Sequence, residues 1–272
     1  MKRVLTTIIG LPIIICLLTF TNKYVVDVII SILLIIAMHE FFGCVKHGAK
    51  PISWIGYALA LFIAFMHIIP ISIIKNVAII AIPTVLTILF LYIIISNMKY
   101  TFDDIAITFT GILYLFSFTI FIPLLYGNSS TIQSDNGKVL IWYIFLASWG
   151  SDIFAYLIGR KGTHKFSKVS PNKTIEGCVA GVVAAVVFSI IYTIIIQKVM
   201  NIYLFPIPLI GAIAAVLCVL GQVGDFAAST IKRYFKVKDF SNLIPGHGGM
   251  IDRIDSVIFM APFAYFLFMV LF

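Results

Sequence analysis

Asp225, Ser229, Lys232 and Arg233 occur in "GQVGDFAASTIKRYF", residues 221–235, at i, i+4, i+7 and i+8, so on a helix all four project from one face. A carboxylate and a hydroxyl one turn apart can ligate a hard cation, and the lysine and arginine beyond them can neutralise phosphate oxygens, the arginine bidentately. The same spacing describes a salt-bridged interfacial helix whose basic residues snorkel to headgroups, and spacing alone leaves both readings open. A second group follows in "LIPGHGGMIDRIDS", residues 243–256. Its glycines Gly246, Gly248 and Gly249 permit a tight turn and close backbone approach to a ligand. Asp252, Asp255 and Ser256 come next at i, i+3 and i+4, again on one helical face. Carboxylates at a helix N-terminus are individually ordinary. Two polar helix ends joined by a glycine-rich turn, with aspartates on both sides and lysines between, are much less so. Such a set can hold a divalent metal with a polyphosphate, carboxylates on the metal and basic residues on the remaining charge.

A third group lies in "WGSDIFAYLIGRKGTHKFSKVSPNKTIEG", residues 149–177. Asp152 sits within an apolar segment, where an ionisable side chain needs a partner or a hydrated cavity: it is either a site wall or half of an ion pair between helices. In "SPNKTIEG", Ser170, Lys173 and Thr174 offer donors near the N-terminus of the following helix, whose unpaired N–H groups favour an anion. With Glu176, Thr174 is also a plausible ordinary N-cap.

The elements that must position these groups are membrane helices. The chain is 61% hydrophobic and only 11% charged, with a mean hydropathy of +1.11. An all-α polytopic membrane protein follows, with about nine spans centred on 4–20, 24–38, 53–70, 77–95, 105–126, 139–158, 178–197, 202–222 and 256–272. The opening "MKR" and its apolar stretch read as a retained first helix, since no A-x-A-like cleavage site follows. With the N-terminus in the cytoplasm, all of the 19 basic residues except Lys23, Lys75, Lys138 and Lys198 fall on the cytoplasmic side. That asymmetry supports N-in, C-out topology, and the net charge of +8 becomes a property of one face. It suits anionic lipids and phosphorylated substrates; no nucleic-acid recognition module is visible.

Residues 1–138 read as an N-terminal set of transmembrane helices that carries little chemistry, and 139–272 as a catalytic region with cytoplasmic loops 159–176 and 225–253. Asp27 in the second span is expected near the membrane surface, and His39-Glu40 lacks the second histidine of a metalloprotease helix, so no metal is assigned there. Cys16, Cys44, Cys178 and Cys218 show no paired spacing and read as free packed thiols.

"STIKRYFKVKDFSNLIPGHGGMIDRID", residues 229–255, resembles the signature of the phosphatidate cytidylyltransferases, or CDP-diacylglycerol synthases: S-x-x-K-R, a K-D pair, P-G-H-G-G and D-R-x-D. Gly224-Asp225 and the S-P-x-K-T-x-E-G segment are similar as well. Ile175 departs from the family's common tryptophan, and Ile153-Phe154 from its smaller residues; neither change removes an ionisable group. The resemblance implies a magnesium-dependent homodimer in the bacterial inner membrane, its active site facing the cytoplasm. There it would convert CTP and phosphatidic acid to CDP-diacylglycerol and pyrophosphate; whether one or two metals bind is left open. It also implies roles. Asp225 and Asp252 would ligate metal, supported by Ser229 and Asp255. Lys232, Arg233, Lys173 and Arg253 would bind phosphates, His247 with Gly248 and Gly249 would shape or orient the phosphate loop, and Asp152 and Asp239 would organise the cations. Two rivals share some of these features: a CTP-dependent lipid-alcohol kinase, and an anion or phosphate-ester transporter. The latter fits less well, because the charges cluster at one face and no inverted repeat is apparent.

Overall fold

The structure is a computed structural model that describes residues 12, 14–46, 48–127, 134–167, 169–243, 246 and 248–271. The expected span at 4–20 lies largely outside these residues. The regular elements described are helices: α1 (Lys23–Val45), α2 (Ser53–Ile63), α3 (Ile71–Ile95), α4 (Phe102–Thr119), α5 (Phe121–Gly127), α6 (Ser134–Gly159), α7 (Ile175–Met200), α8 (Ile207–Tyr234) and α9 (Ile251–Leu271). Among the described residues, six segments are long and apolar enough to cross a membrane: Lys23–Val45, Phe102–Gly127, Gly137–Gly159, Ile175–Met200, Ile207–Tyr234 and Ile251–Val270. The all-α polytopic membrane class is thus what the fold shows. Lipid offers no partners for backbone N–H and C=O groups, so segments this apolar must satisfy them internally, as helices do.

The chain forms two compact units, Met1–Lys138 with Lys232–Ile254, and Val139–Ile231 with Asp255–Phe272. In the first, α1 packs on α2, α4 and α5. Ser31 Oγ donates to the Ala60 carbonyl at 2.8 Å. The segment expected to span at 53–70 is helical only over the 11 residues of α2, about 17 Å of rise, too short for a bilayer core of ~30 Å. Past Ile63 the ladder tightens, Ala64, Phe65 and Met66 N–H bonding to the carbonyls of Leu61, Phe62 and Ile63, and Asp27 then takes the next donor. Its carboxylate takes the His67 backbone N–H at 2.9 Å and the ring Nδ1 at 2.6 Å, so that N–H is not available to a continuing helix. Asp27 is fully buried and faces protein, one turn from the start of α1.

In the second unit, Ser148 and Ser256 hydrogen-bond at 2.7 Å between α6 and α9. Tyr143 and Thr193 do so at 2.9 Å between α6 and α7. The Gln222 Nε2 donates to the Cys178 carbonyl at 2.9 Å, fastening α8 to α7. At 28 residues α8 is about 42 Å long, so it outruns the apolar core of a bilayer. Its surplus turns carry the polar stripe from Asp225 to Arg233, which remains helical to Tyr234.

Candidate functional site

Thr174 starts α7 as its N-cap: the hydroxyl accepts from Gly177 N–H at 3.2 Å and donates to the Gly159 carbonyl at 3.2 Å. Glu176, in the first turn, draws the preceding loop in by accepting from the backbone N–H groups of Thr163 and His164 and pairing with His164 Nδ1 at 2.7 Å. An isolated antiparallel bridge between Lys165 and Thr174, with Phe166 N–H donating to the Lys173 carbonyl, folds the 160–174 loop back on itself. Lys173 is thereby placed over the side of α8. Its Nζ lies 2.6 Å from Asp225 Oδ2 and 4.6 Å from the Phe226 ring centroid. Phe166 in turn stacks on Phe226, with centroids 4.9 Å apart.

Around this pair the second unit has a pocket of about 300 Å³ whose lining includes Asp152, Ser170, Lys173, Thr174, Gln222 and Asp225. The fold therefore brings together five residues that the sequence singled out, from α6, the 160–174 loop and α8. Asp152 is exposed and lines the pocket, which fits a site wall. Ser229 is half-buried one turn beyond Asp225, and Asp255 is buried, its Oδ1 accepting from Ser256 N–H at 2.9 Å.

The first unit holds a second lysine–aspartate pair. Lys232 Nζ, at the end of α8, meets Asp252 Oδ1 at 2.5 Å and lies 5.5 Å from the Phe240 ring centroid. Asp252 Oδ2 accepts from the backbone N–H groups of Phe240 and Gly249. Gly246 and Gly248 take φ of 81° and 82°, a region that a side chain resists, which is why the turn needs glycine at these positions. Asp239 is exposed; a side chain at Gly248 would meet its Oδ1 at 3.3 Å and Asp252 Oδ2 at 2.9 Å. Arg233 and Arg253 are exposed, and His247 lies outside the described residues.

Helix α8 closes with Val237 N–H bonded to the Lys232 carbonyl and Lys236 N–H to that of Arg233, Lys236 taking a left-handed φ of 57°.

Among the described residues, no group of three or more His, Cys, Asp or Glu side chains is arranged to hold a metal. Magnesium does not require one. It commonly keeps several waters and binds through one or two carboxylates plus substrate phosphates. Asp225, partly exposed and lining a pocket, fits that pattern, whereas both oxygens of Asp252 are already engaged.

Four contributors escaped the sequence reading. Phe226, Phe166 and Gln222 hold Lys173 and α8, but within apolar helices and loops they carry no distinguishing signal. Glu40 is the fourth. Buried at the C-terminal part of α1, it accepts from Ser241 Oγ at 2.6 Å and from Met250 and Ile251 N–H at 2.8 and 3.0 Å. Its sole hint in the sequence was the cost of a carboxylate in an apolar segment.

The family model described as "Cytidylyltransferase family" matches residues 1–271. A Bacillus subtilis (strain 168) protein named phosphatidate cytidylyltransferase is 34% identical over 180 residues, 65% of this chain and 62% of that protein's length. One of the same name from Staphylococcus haemolyticus (strain JCSC1435) is 30% identical over 262 residues, 96% of this chain and 95% of its own. A third, from Staphylococcus aureus (strain COL), is 33% identical over 174 residues, covering 63% of this chain and 62% of its own.

Proposed function

Because this chain belongs to the cytidylyltransferase family, we propose that it joins CTP to phosphatidic acid, yielding CDP-diacylglycerol and pyrophosphate in phospholipid biosynthesis. A phosphate oxygen of the lipid attacks the α-phosphorus of CTP; the bond from that phosphorus to the bridging oxygen of the β-phosphate breaks, and pyrophosphate departs. The nucleophile is already an oxyanion, so the protein needs no general base. It must hold two mutually repelling anions in line and stabilise the charge that builds on the leaving group.

The Lys173–Asp225 pair in its pocket is the observation that carries this reading. Asp225 is the carboxylate that would hold magnesium, with Ser229 one turn along α8. The ion, when bound, supplies neutralisation of the triphosphate charge. Lys173 donates to phosphate oxygens, held at the right height by Phe226 and the folded-back loop. In the first unit, Lys232 and the exposed Arg233 and Arg253 serve as further phosphate donors, and Asp252 orients Lys232 and the glycine turn. Orientation belongs to the same proposal. The crowding of basic residues on one side of the membrane supports an active site on the cytoplasmic face of the bacterial inner membrane, and the family resemblance supports a homodimer.

Purified protein given CTP, magnesium and phosphatidic acid should form a cytidine-bearing lipid and pyrophosphate in equal amounts. CDP released only when a lipid alcohol such as diacylglycerol replaces phosphatidic acid, with that alcohol phosphorylated, would mean a kinase instead. Neither product, with labelled phosphate ester crossing vesicles that contain the protein, would mean a transporter.

A further inference from the structure

Glu40 is a charge with 5% exposure, and burying a carboxylate is costly unless it is fully hydrogen-bonded. It is separated by 201 residues from Ser241 and by more than that from Met250 and Ile251, yet three donors from this one stretch converge on it. Two of them, Met250 and Ile251 N–H, belong to the start of α9, where backbone donors lack intrahelical partners. The fit is close enough that a Cβ at Gly249 would fall 2.6 Å from Glu40 Oε2. On the other side of the same stretch, Gly249 N–H and Phe240 N–H donate to Asp252, which holds Lys232. Two carboxylates thus clasp residues 240–241 and 249–251: Glu40 fixes them to α1, and Asp252 connects them to the phosphate-binding lysine.

We propose that Glu40 is a positioning residue for the cytidylyl transfer, setting through residues 240–241 and 249–251 where Asp252 and Lys232 stand; this rests on the function proposed above. Charge-assisted bonds to backbone N–H groups are short and directional, so they locate the turn more sharply than packing does. A displacement of about 1 Å in a charge-stabilising group can cost on the order of 10²-fold in rate.

The test uses the full chain in detergent, with hydrogen exchange of backbone amides read beside steady-state kinetics. Glu40→Ala should lower kcat by about 10²-fold while changing the KM for phosphatidic acid less than about threefold. Glu40→Gln, which keeps one acceptor oxygen, should recover part of that loss. Exchange should quicken at Met250 and Ile251, and also at Phe240 and Gly249, which touch Asp252 rather than Glu40. Gly249→Ala should reproduce the kcat defect, and the double variant Glu40→Ala/Gly249→Ala should be no worse than Glu40→Ala, because truncation makes room for the methyl group. Faster exchange confined to Met250 and Ile251, or kcat per folded molecule unchanged in Glu40→Ala, would overturn the proposal. A parent that makes no cytidine-bearing lipid while the four amides stay coupled would sink the reaction and leave the clasp standing.

Discussion

In the second unit Lys173 meets Asp225 at 2.6 Å with the side chains 32% and 20% exposed; in the first, Lys232 meets Asp252 at 2.5 Å with 12% and 5% exposed. The chemistry of the two pairs is the same, but their dependants differ. Asp225 accepts only Lys173 among the hydrogen bonds described, and the pair lines a pocket. Asp252 also holds the backbone of Phe240 and Gly249 in place. A partly solvated pair can be exchanged for ligand contacts at modest cost. A nearly buried pair that anchors a turn cannot, since removing one member leaves an uncompensated charge and unpaired N–H groups. The first pair is therefore suited to ligand exchange, and the second to keeping a lysine aimed.

The largest effect is expected at the buried pair. Asp252→Ala should abolish measurable turnover and lower unfolding stability by about 3–5 kcal/mol, read by thermal denaturation in detergent. Asp225→Asn should cost about 10²-fold in kcat while leaving the melting temperature within about 2 °C of the parent. Equal melting losses in these two variants would erase the distinction between the pairs. Phe226→Leu removes the ring face beneath Lys173 and should raise the KM for CTP roughly threefold, matching ~0.5–1 kcal/mol of cation–π attraction, with kcat little changed. An effect of similar size, on stability and not on turnover, concerns the helix end that delivers Lys232. Lys236→Gly relieves a side chain from a left-handed backbone and should stabilise the protein by about 1 kcal/mol. A destabilised Lys236→Gly would show that the lysine side chain outweighs its backbone strain.

The polar stripe from Asp225 to Arg233 was legible because it obeys the 3.6-residue period of the helix that bears it, and the fold confirms that helix to Tyr234. Thr174 as an N-cap was legible for a similar reason, the cap being a local matter. Pairing was not. Lys173 and Asp225 are 52 residues apart, and nothing in either neighbourhood names the other as partner. The 53–70 segment misled because its hydrophobicity meets the length for a span, while the ladder tightens past Ile63 and Asp27, 40 residues before His67, takes the next backbone donor.

Composition, period and charge asymmetry by themselves determined the membrane class, the helical content and the residue types able to handle phosphate. These follow from solvent and from neighbours within a turn or two. Tertiary structure alone decided which aspartate lines a pocket and which is bonded to a buried turn, and recruited Glu40 to a turn more than 200 residues away. The value of a carboxylate depends on its burial and its donors, and those are set by distant segments meeting in space.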